Sequence, residues 1–335
     1  MAHRFDFAVI GAGSWGTALA SHLARSGQRT VLIARDPEQA FHLQHARVNT
    51  RYLPDQPLPP TLEISSDFAA RVAEATHLVI ATPSHGFSEV VKALFHTLPH
   101  LDHLIWATKG LDPVTGAFLH ESVIPYRDPY FPMLLLTGPS FAKELMAHKP
   151  TAITLAHNGC APLAHQIQKA FHGGNVRAYT CEDLVGAELG GAVKNILAIA
   201  VGIADELNVG MNAKAALMTR GMAEMMRLGK AVGAHPETLM GLSGLGDLIL
   251  TCSDNQSRNR RLGVALGSGQ SLEQARNAIG QVVEGISTTA TVYAMAEKHG
   301  ISMPITGQMV HVLFQGLSPL RAVENLFGRE AGAEH

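Results

Sequence analysis

Short apolar runs alternate with helix-like stretches through the first half of the chain. Phe5–Ile10 reads as a buried strand, and Ser14–Ser26 has the composition of a helix that Gly27 terminates. Thr30–Ala34 is a second strand. Leu78–Ala81, His103–Ala107 and Leu134–Thr137 follow, with weaker signals at Ala152–Ala156 and Val176–Tyr179. Strands apolar on both sides and separated by helices pair in parallel, with helices covering both faces of the sheet. Around residue 180 the strand pattern gives out. Leu184–Asp205, Asn212–Val232, Gln256–Leu266 and Ser287–Lys298 are rich in Ala, Leu, Met and Gly and read as helices. The expected architecture is α/β: a doubly wound, mostly parallel sheet over residues 1–181, then an all-helical domain over 182–335 with a frayed end at Arg329–His335.

Composition supplies the interior such a chain needs. Apolar residues make up 46% of the 335 and charged residues 16%, the latter well below the roughly 25% of an average globular protein. Two ordinary domains fit this length, and a subunit contact is expected to hide further apolar surface. A formal charge of −2 gives no bulk attraction for nucleic acid or an anionic membrane, so any bound anion is held by a few placed residues. Cys160, Cys181 and Cys252 stand singly, which fits a reducing cytoplasm better than a disulfide or metal framework. His96, His100 and His103 have helical spacing, but Pro99 and Leu101 interrupt a helix there; they read as solvated surface, and no metal is expected. Asp6 and Gly11, Gly13 and Gly16 break the apolar run a secretory signal requires. Leu189–Ala204, the richest apolar stretch, carries Lys194 and glycines, so no membrane span is expected.

Gly11-Ala-Gly13-Ser14-Trp15-Gly16 follows the first strand and opens a helix. That is where a Rossmann-type sheet places its dinucleotide turn. The first glycine permits the turn, the second lets pyrophosphate approach the backbone, and the third lets helix and strand pack. At the end of the second strand stands Arg35, where an acid would favour NAD(H). A guanidinium offers a planar match to a 2′-phosphate, so NADP(H) is favoured, while Asp36 keeps NAD(H) open and a solvated strand end is the alternative for Arg35. Other strand ends are also polar: Thr82-Pro83-Ser84, Thr108-Lys109-Gly110, and Gly138-Pro139-Ser140-Phe-Ala142. In an open parallel sheet, ligands lie off these carboxyl ends.

The helix around Glu188-Leu-Gly190-Gly191-Ala-Val-Lys194-Asn195 is too apolar for a surface helix. The Lys194 side chain leans back over Gly191 and Gly190, which should leave an open pocket above the ammonium. Desolvation lowers a lysine pKa and suits it to remove a hydroxyl proton; a lysine snorkelling out of a helix packed through glycines remains the alternative. Gly244-Leu-Gly-Asp247-Leu-Ile-Leu-Thr251-Cys252 places Asp247 and Thr251 on one helical face. Ser257-Arg258-Asn259-Arg260-Arg261 supplies cation, side-chain donors and free backbone N–H groups at a helix start, as a phosphate monoester requires; a basic, capped helix end on the surface is the alternative. Glu284, after Val282-Val283, caps a further helix or reaches the coenzyme.

Taken in order, Gly11–Gly16, Lys109-Gly110, Gly138-Pro-Ser140, Val193-Lys194-Asn195, Gly244–Cys252, Ser257-Arg258-Asn259 and Val283-Glu284-Gly285 resemble the NAD(P)-dependent glycerol-3-phosphate dehydrogenases, from about residue 5 to residue 328. The resemblance implies that Lys194 is the proton acceptor, with Lys109 and Asp247 polarising the reacting group. It implies that Asn195, Thr251, Ser257, Arg258, Asn259, Gly138 and Ser140 hold dihydroxyacetone phosphate or glycerol 3-phosphate. Gly11, Gly13, Ser14, Trp15, Gly16, Arg35, Lys109, Ala142, Arg258 and Glu284 would line the coenzyme, NADP(H) or NAD(H). It further implies a cytoplasmic homodimer supplying glycerol 3-phosphate for phospholipid synthesis. The competing readings are a 3-hydroxyacyl or 3-hydroxyacid dehydrogenase and a non-catalytic NADP(H) sensor.

Overall fold

Phe5, Phe7 and Ala8–Ile10 are buried on both sides of the first strand, so that strand must lie inside a sheet covered on two faces. The computed structural model describes residues 4–128 and 130–328. Its strands are β1 (Phe5–Ile10), β2 (Thr30–Ile33), β3 (Val48–Asn49), β4 (Leu53–Pro57), β5 (Glu63–Ser65), β6 (Ala75–Ile80), β7 (Leu104–Trp106), β8 (Met133–Thr137), β9 (Thr151–His157) and β10 (Val176–Cys181). Eight form one sheet in the order β10-β9-β8-β7-β6-β1-β2-β5. All its pairings are parallel except that of β8 with β9. The chain winds outward from β1 to β5, then returns to place β6 on the other side of β1. That reversal opens a crevice at the carboxyl ends of β1 and β6.

The antiparallel pair β3–β4 and the short edge strand β5 were not expected. Leu53-Pro-Asp-Gln-Pro57 carries two prolines and a charge, which read as loop; an isolated pair tolerates them because few ladder bonds are lost. His103 is also not the solvated residue expected. It opens onto β7, flanked by β6 and β8, and its Nε2 lies 2.9 Å from Nδ1 of buried His77. Burial holds the His103 ring below its ordinary pKa.

From Leu184 the described chain is helical. Asp183 caps the long Leu184–Glu206 helix by accepting from the Gly186 N–H at 2.8 Å, and its other oxygen accepts from His235 N–H. This helix is apolar and long enough to cross a membrane, but it is buried as the axis of the helical half. Its glycines admit other backbones. A Cβ on Gly202 would overlap the Arg260 carbonyl, and one on Gly190 would stand 2.6 Å from the Ser243 carbonyl oxygen. The remaining apolar residues fill two cores, one on each face of the sheet.

Candidate active site

The turn after β1 is shaped as its sequence predicts. Gly11 has φ +116°, and a Cβ there would stand 2.8 Å from the Ala81 carbonyl oxygen at the end of β6. A Cβ on Gly16 would overlap the Gly11 carbonyl, so this glycine serves close packing. At Gly13 nothing lies within 4 Å of an added Cβ, leaving the backbone open to an incoming group. The N-terminus of the Ser14–Arg25 helix faces that opening, and its first turn holds no acid. Two side chains absent from the sequence reading brace the turn. Asn49 Nδ2 donates to the Ala12 carbonyl (3.1 Å) and to Thr17 Oγ1 (2.8 Å), and Gln39 Nε2 donates to the same carbonyl. Arg35 is exposed at the end of β2, while Asp36 turns away to cap the Pro37–Ala46 helix through the Glu38 N–H. These residues fit a dinucleotide: open backbone donors for pyrophosphate and an exposed guanidinium beyond them.

Across the crevice, three charged groups from three segments meet. Lys194 comes from the long helix, Lys109 from the loop after β7, and Asp247 from the start of the Asp247–Ser253 helix. Lys194 Nζ lies 2.6 Å and Lys109 Nζ 2.7 Å from the same Asp247 Oδ2, and Lys109 also donates to the Gly138 carbonyl at 3.0 Å. Burial lowers the Lys194 pKa to about 7; Asp247 opposes that shift, and the Lys109 charge adds to it. Burial disfavours the Asp247 carboxylate too, but the two ammonium groups outweigh it and hold its pKa below the ordinary value. The space over Lys194 differs from expectation. The Ser243–Gly244 backbone fills the gap at Gly190, whereas Gly191 gives room to the Lys109 stem, whose Cβ and Cγ lie 3.8 Å from the place of an added Cβ.

The polar residues beyond this cluster are largely engaged with one another. Asn259 Nδ2 donates to Asn195 Oδ1 (2.8 Å), Asn195 Nδ2 to the Gly191 carbonyl (3.2 Å), and the Gly285 N–H to Asn259 Oδ1 (2.9 Å). Each amide retains one N–H. Thr251 Oγ1 turns back to the Asp247 carbonyl at 2.6 Å. Ser257 caps the Arg258–Gly267 helix through the Arg260 N–H, and Arg258 Nη1 donates to the Val282 carbonyl at 2.8 Å. Ser140 Oγ donates to the Gly138 carbonyl, and Ala142 begins the helix just beyond.

Other features of the site carry little sequence signal. Glu284 opens the Glu284–Lys298 helix, and its carboxylate accepts from the Ser84 N–H (3.2 Å) and Ser84 hydroxyl (2.5 Å) after β6. The two halves of the chain are thus clasped across the crevice. Thr82, Thr137 and Ser243 bury hydroxyls, and Trp15 an indole N–H, with no hydrogen-bond partner among the described residues. Buried polar atoms of this kind are ordinarily satisfied. Three lie at strand or turn ends beside the cluster, where a ligand or water would satisfy them. Among the described residues no group of three or more His, Cys, Asp or Glu side chains converges as a metal site would require.

Comparison with known proteins bears on this arrangement directly. Residues 6–161 match the family model of the NAD-dependent glycerol-3-phosphate dehydrogenase N-terminus, and residues 183–324 match that of its C-terminus. A glycerol-3-phosphate dehydrogenase (NAD(P)+) of Thioalkalivibrio sulfidiphilus is 50% identical over 327 residues, covering 98% of each chain. One from Xanthomonas euvesicatoria is 49% identical, covering 98% of this chain and 96% of the relative. The crystal structure of a glycerol-3-phosphate dehydrogenase from Coxiella burnetii superposes with a TM-score of 0.93 at 45% identity, covering 97% of this chain and 99% of that one. The two lysines meeting on buried Asp247, the dinucleotide turn and this nearly full-length likeness have one reading: the chain belongs to the NAD(P)-dependent glycerol-3-phosphate dehydrogenases, oxidoreductases that use NAD or NADP.

Proposed function

We propose that Lys194 moves the proton of this reaction, with Lys109 and Asp247 setting its charge and aim. The observation behind this is the meeting of both ammonium groups on one buried carboxylate oxygen. A lysine with a pKa of about 7 is both acid and base near neutrality, the condition that favours proton transfer. When bound, NAD(P)H supplies the hydride that adds to carbon 2 of dihydroxyacetone phosphate. As negative charge gathers on the carbonyl oxygen, Lys194 gives it a proton and is left as the neutral amine. Lys109 offers a second positive charge to the same oxygen, and Asp247 keeps both lysines in place. Glycerol 3-phosphate oxidation uses the neutral amine to accept the hydroxyl proton.

Arg258, the Ser257 hydroxyl and the backbone donors at the start of the Arg258–Gly267 helix are assigned to the substrate phosphate. The spare N–H groups of Asn195 and Asn259, with Thr251, Gly138 and Ser140, would complete that pocket. Gly11, Gly13, Ser14, Trp15, Gly16, Arg35, Lys109, Ala142, Arg258 and Glu284 would hold the coenzyme, with NADP(H) favoured by Arg35. The seam between the coenzyme and substrate domains is placed at residues 181/182. A cytoplasmic homodimer supplying glycerol 3-phosphate to phospholipid synthesis accords with the family and with the low charge content.

Absorbance at 340 nm with dihydroxyacetone phosphate and NADPH or NADH tests the assignment. Rapid oxidation by the native protein, nearly lost in Lys194→Ala while coenzyme still binds, is expected. Unchanged turnover in that variant would remove Lys194 from the proton path. Coenzyme binding without turnover by the native protein would favour the sensor reading, and turnover of a 3-hydroxyacyl substrate alone the remaining alternative.

A further inference from the structure

Glu188 is a buried carboxylate that the proton path above does not use. It lies on the Leu184–Glu206 helix, three positions before Gly191, and so on the same face. Its Oε1 accepts the His120 N–H at 3.1 Å, and its Oε2 lies 2.5 Å from His120 Nδ1, so one residue's backbone and ring are both fixed. A buried charged pair is a weak source of net stability compared with an apolar contact of similar volume. Geometry gives this one another use.

His120 and Lys109 stand at the two open ends of one hairpin-like loop. Leu111 bridges Phe118 in antiparallel fashion, and the Asp112 N–H donates to the Ala117 carbonyl at 2.9 Å. Lys109 precedes Leu111 by two positions, and His120 follows Phe118 by two, inside the short 3-10 turn Leu119–Ser122, so the Leu111–Phe118 bridge ties the two flanks of the loop together. The loop between them is stiff. Asp112 accepts from the Val114 and Thr115 N–H groups through one oxygen and from Ser88 Oγ through the other. Both ends therefore rest on one face of the helix that carries Lys194: His120 on Glu188, and the Lys109 stem over Gly191.

We propose that Glu188 and His120 are positioning residues that anchor this loop so that the Lys109 ammonium meets Asp247. The inference rests on Lys109 taking part in the chemistry as assigned above. Its test is a double-mutant cycle of dihydroxyacetone phosphate reduction by NADPH, using the native enzyme, Lys109→Met, Glu188→Gln and the double variant. The thermal midpoint of each is recorded alongside.

Glu188→Gln alone is expected to lower kcat about tenfold or more while leaving the KM for NADPH within about twofold. In the Lys109→Met background it is expected to cost less than about threefold, because residues acting through one another are not additive. A purely structural role gives the opposite pattern, with equal losses in both backgrounds, and would overturn the inference. Undiminished kcat in Glu188→Gln would do the same. Undiminished kcat in Lys109→Met would instead remove Lys109 from the chemistry, and with it the need for an anchor. Should Glu188→Gln fail to fold, His120→Leu, which removes the ring donor to Glu188, enters the same cycle with the same outcomes.

Discussion

Lys109 and Lys194 share one acceptor: their ammonium groups stand 2.7 and 2.6 Å from the same Oδ2 of buried Asp247. Burial, reinforced by the neighbouring Lys109 charge and only partly offset by Asp247, leaves Lys194 with a pKa of about 7. With Lys194 in its proposed role, reduction draws on the ammonium form, so kcat/KM for dihydroxyacetone phosphate should be level below about 7 and fall above it. Oxidation needs the amine, so kcat/KM for glycerol 3-phosphate should rise through the same pH and then level. Asp247→Asn removes the charge that favours the ammonium, so both limbs should move to lower pH. The rate should fall on the order of 10²-fold as the lysines lose their common anchor. Profiles measured for both directions decide this; a reduction limb that stays level to alkaline pH would assign the proton to another group.

Gly190 and Gly191 are neighbours with opposite tolerances. A Cβ on Gly190 meets the Ser243 carbonyl oxygen at 2.6 Å and the Gly244 Cα at 3.1 Å, so the turn leading to Asp247 must move. Gly190→Ala should therefore cost about 1–3 kcal/mol of stability and lower kcat as Asp247 shifts. A Cβ on Gly191 finds only ordinary contacts, 3.8 Å from the Lys109 stem. There the gain in helix propensity, about 1 kcal/mol, should hold or raise the melting temperature. Thermal unfolding of the two variants separates the cases, and equal losses would contradict the packing described.

Much of this was legible in the chain because buried parallel strands are apolar on both faces and because a lysine in an apolar helix stands out. The same logic applies to Glu188, six residues before Lys194 on that apolar helix, but its partner His120 lies 68 positions away and leaves no local signature. Other features have no local signature. Ser84 and Glu284 are 200 positions apart, and only the fold brings them together. Asn49 looks like a turn residue until its amide is seen holding Ala12 behind the dinucleotide turn. His103 misled because its strand is short and its neighbours His96 and His100 are exposed. At Gly190 the missing side chain suggested space, yet a second backbone occupies it.

Stability in the helical half leans on Glu224. Its Oε1 accepts the Ile305 N–H at 2.6 Å, while Oε2 accepts the Thr306 N–H at 3.2 Å and the Thr306 hydroxyl at 3.0 Å. A carboxylate from the Met211–Val232 helix thereby satisfies the first turn of the Pro304–Phe314 helix, whose own N-cap is Met303 with no capping side chain. Glu224→Ala orphans those donors in a buried site and should cost about 1–3 kcal/mol. Glu224→Gln keeps one acceptor and should cost less. Urea denaturation of the pair measures the difference, and an alanine variant as stable as the native chain would show that the helix start is satisfied in another way.

Coenzyme choice is expected to turn on Arg35, the exposed side chain after β2. Its neighbour Asp36 spends an oxygen on the Glu38 N–H and so competes weakly for a ribose hydroxyl. A free guanidinium facing a 2′-phosphate gains a charge-assisted, two-pronged contact that a ribose hydroxyl cannot match. At an exposed site this is worth about 1.4 kcal/mol, a tenfold change in affinity. Arg35→Ala should raise the KM for NADPH about tenfold and leave that for NADH nearly unchanged. Arg35→Asp should go further by repelling the phosphate. A high-salt series adds a check, since screening weakens an exposed charge contact and should erode the native preference while sparing the alanine variant. Equal changes for both coenzymes would place Arg35 away from the phosphate, and discrimination would then have to come from another segment of the crevice.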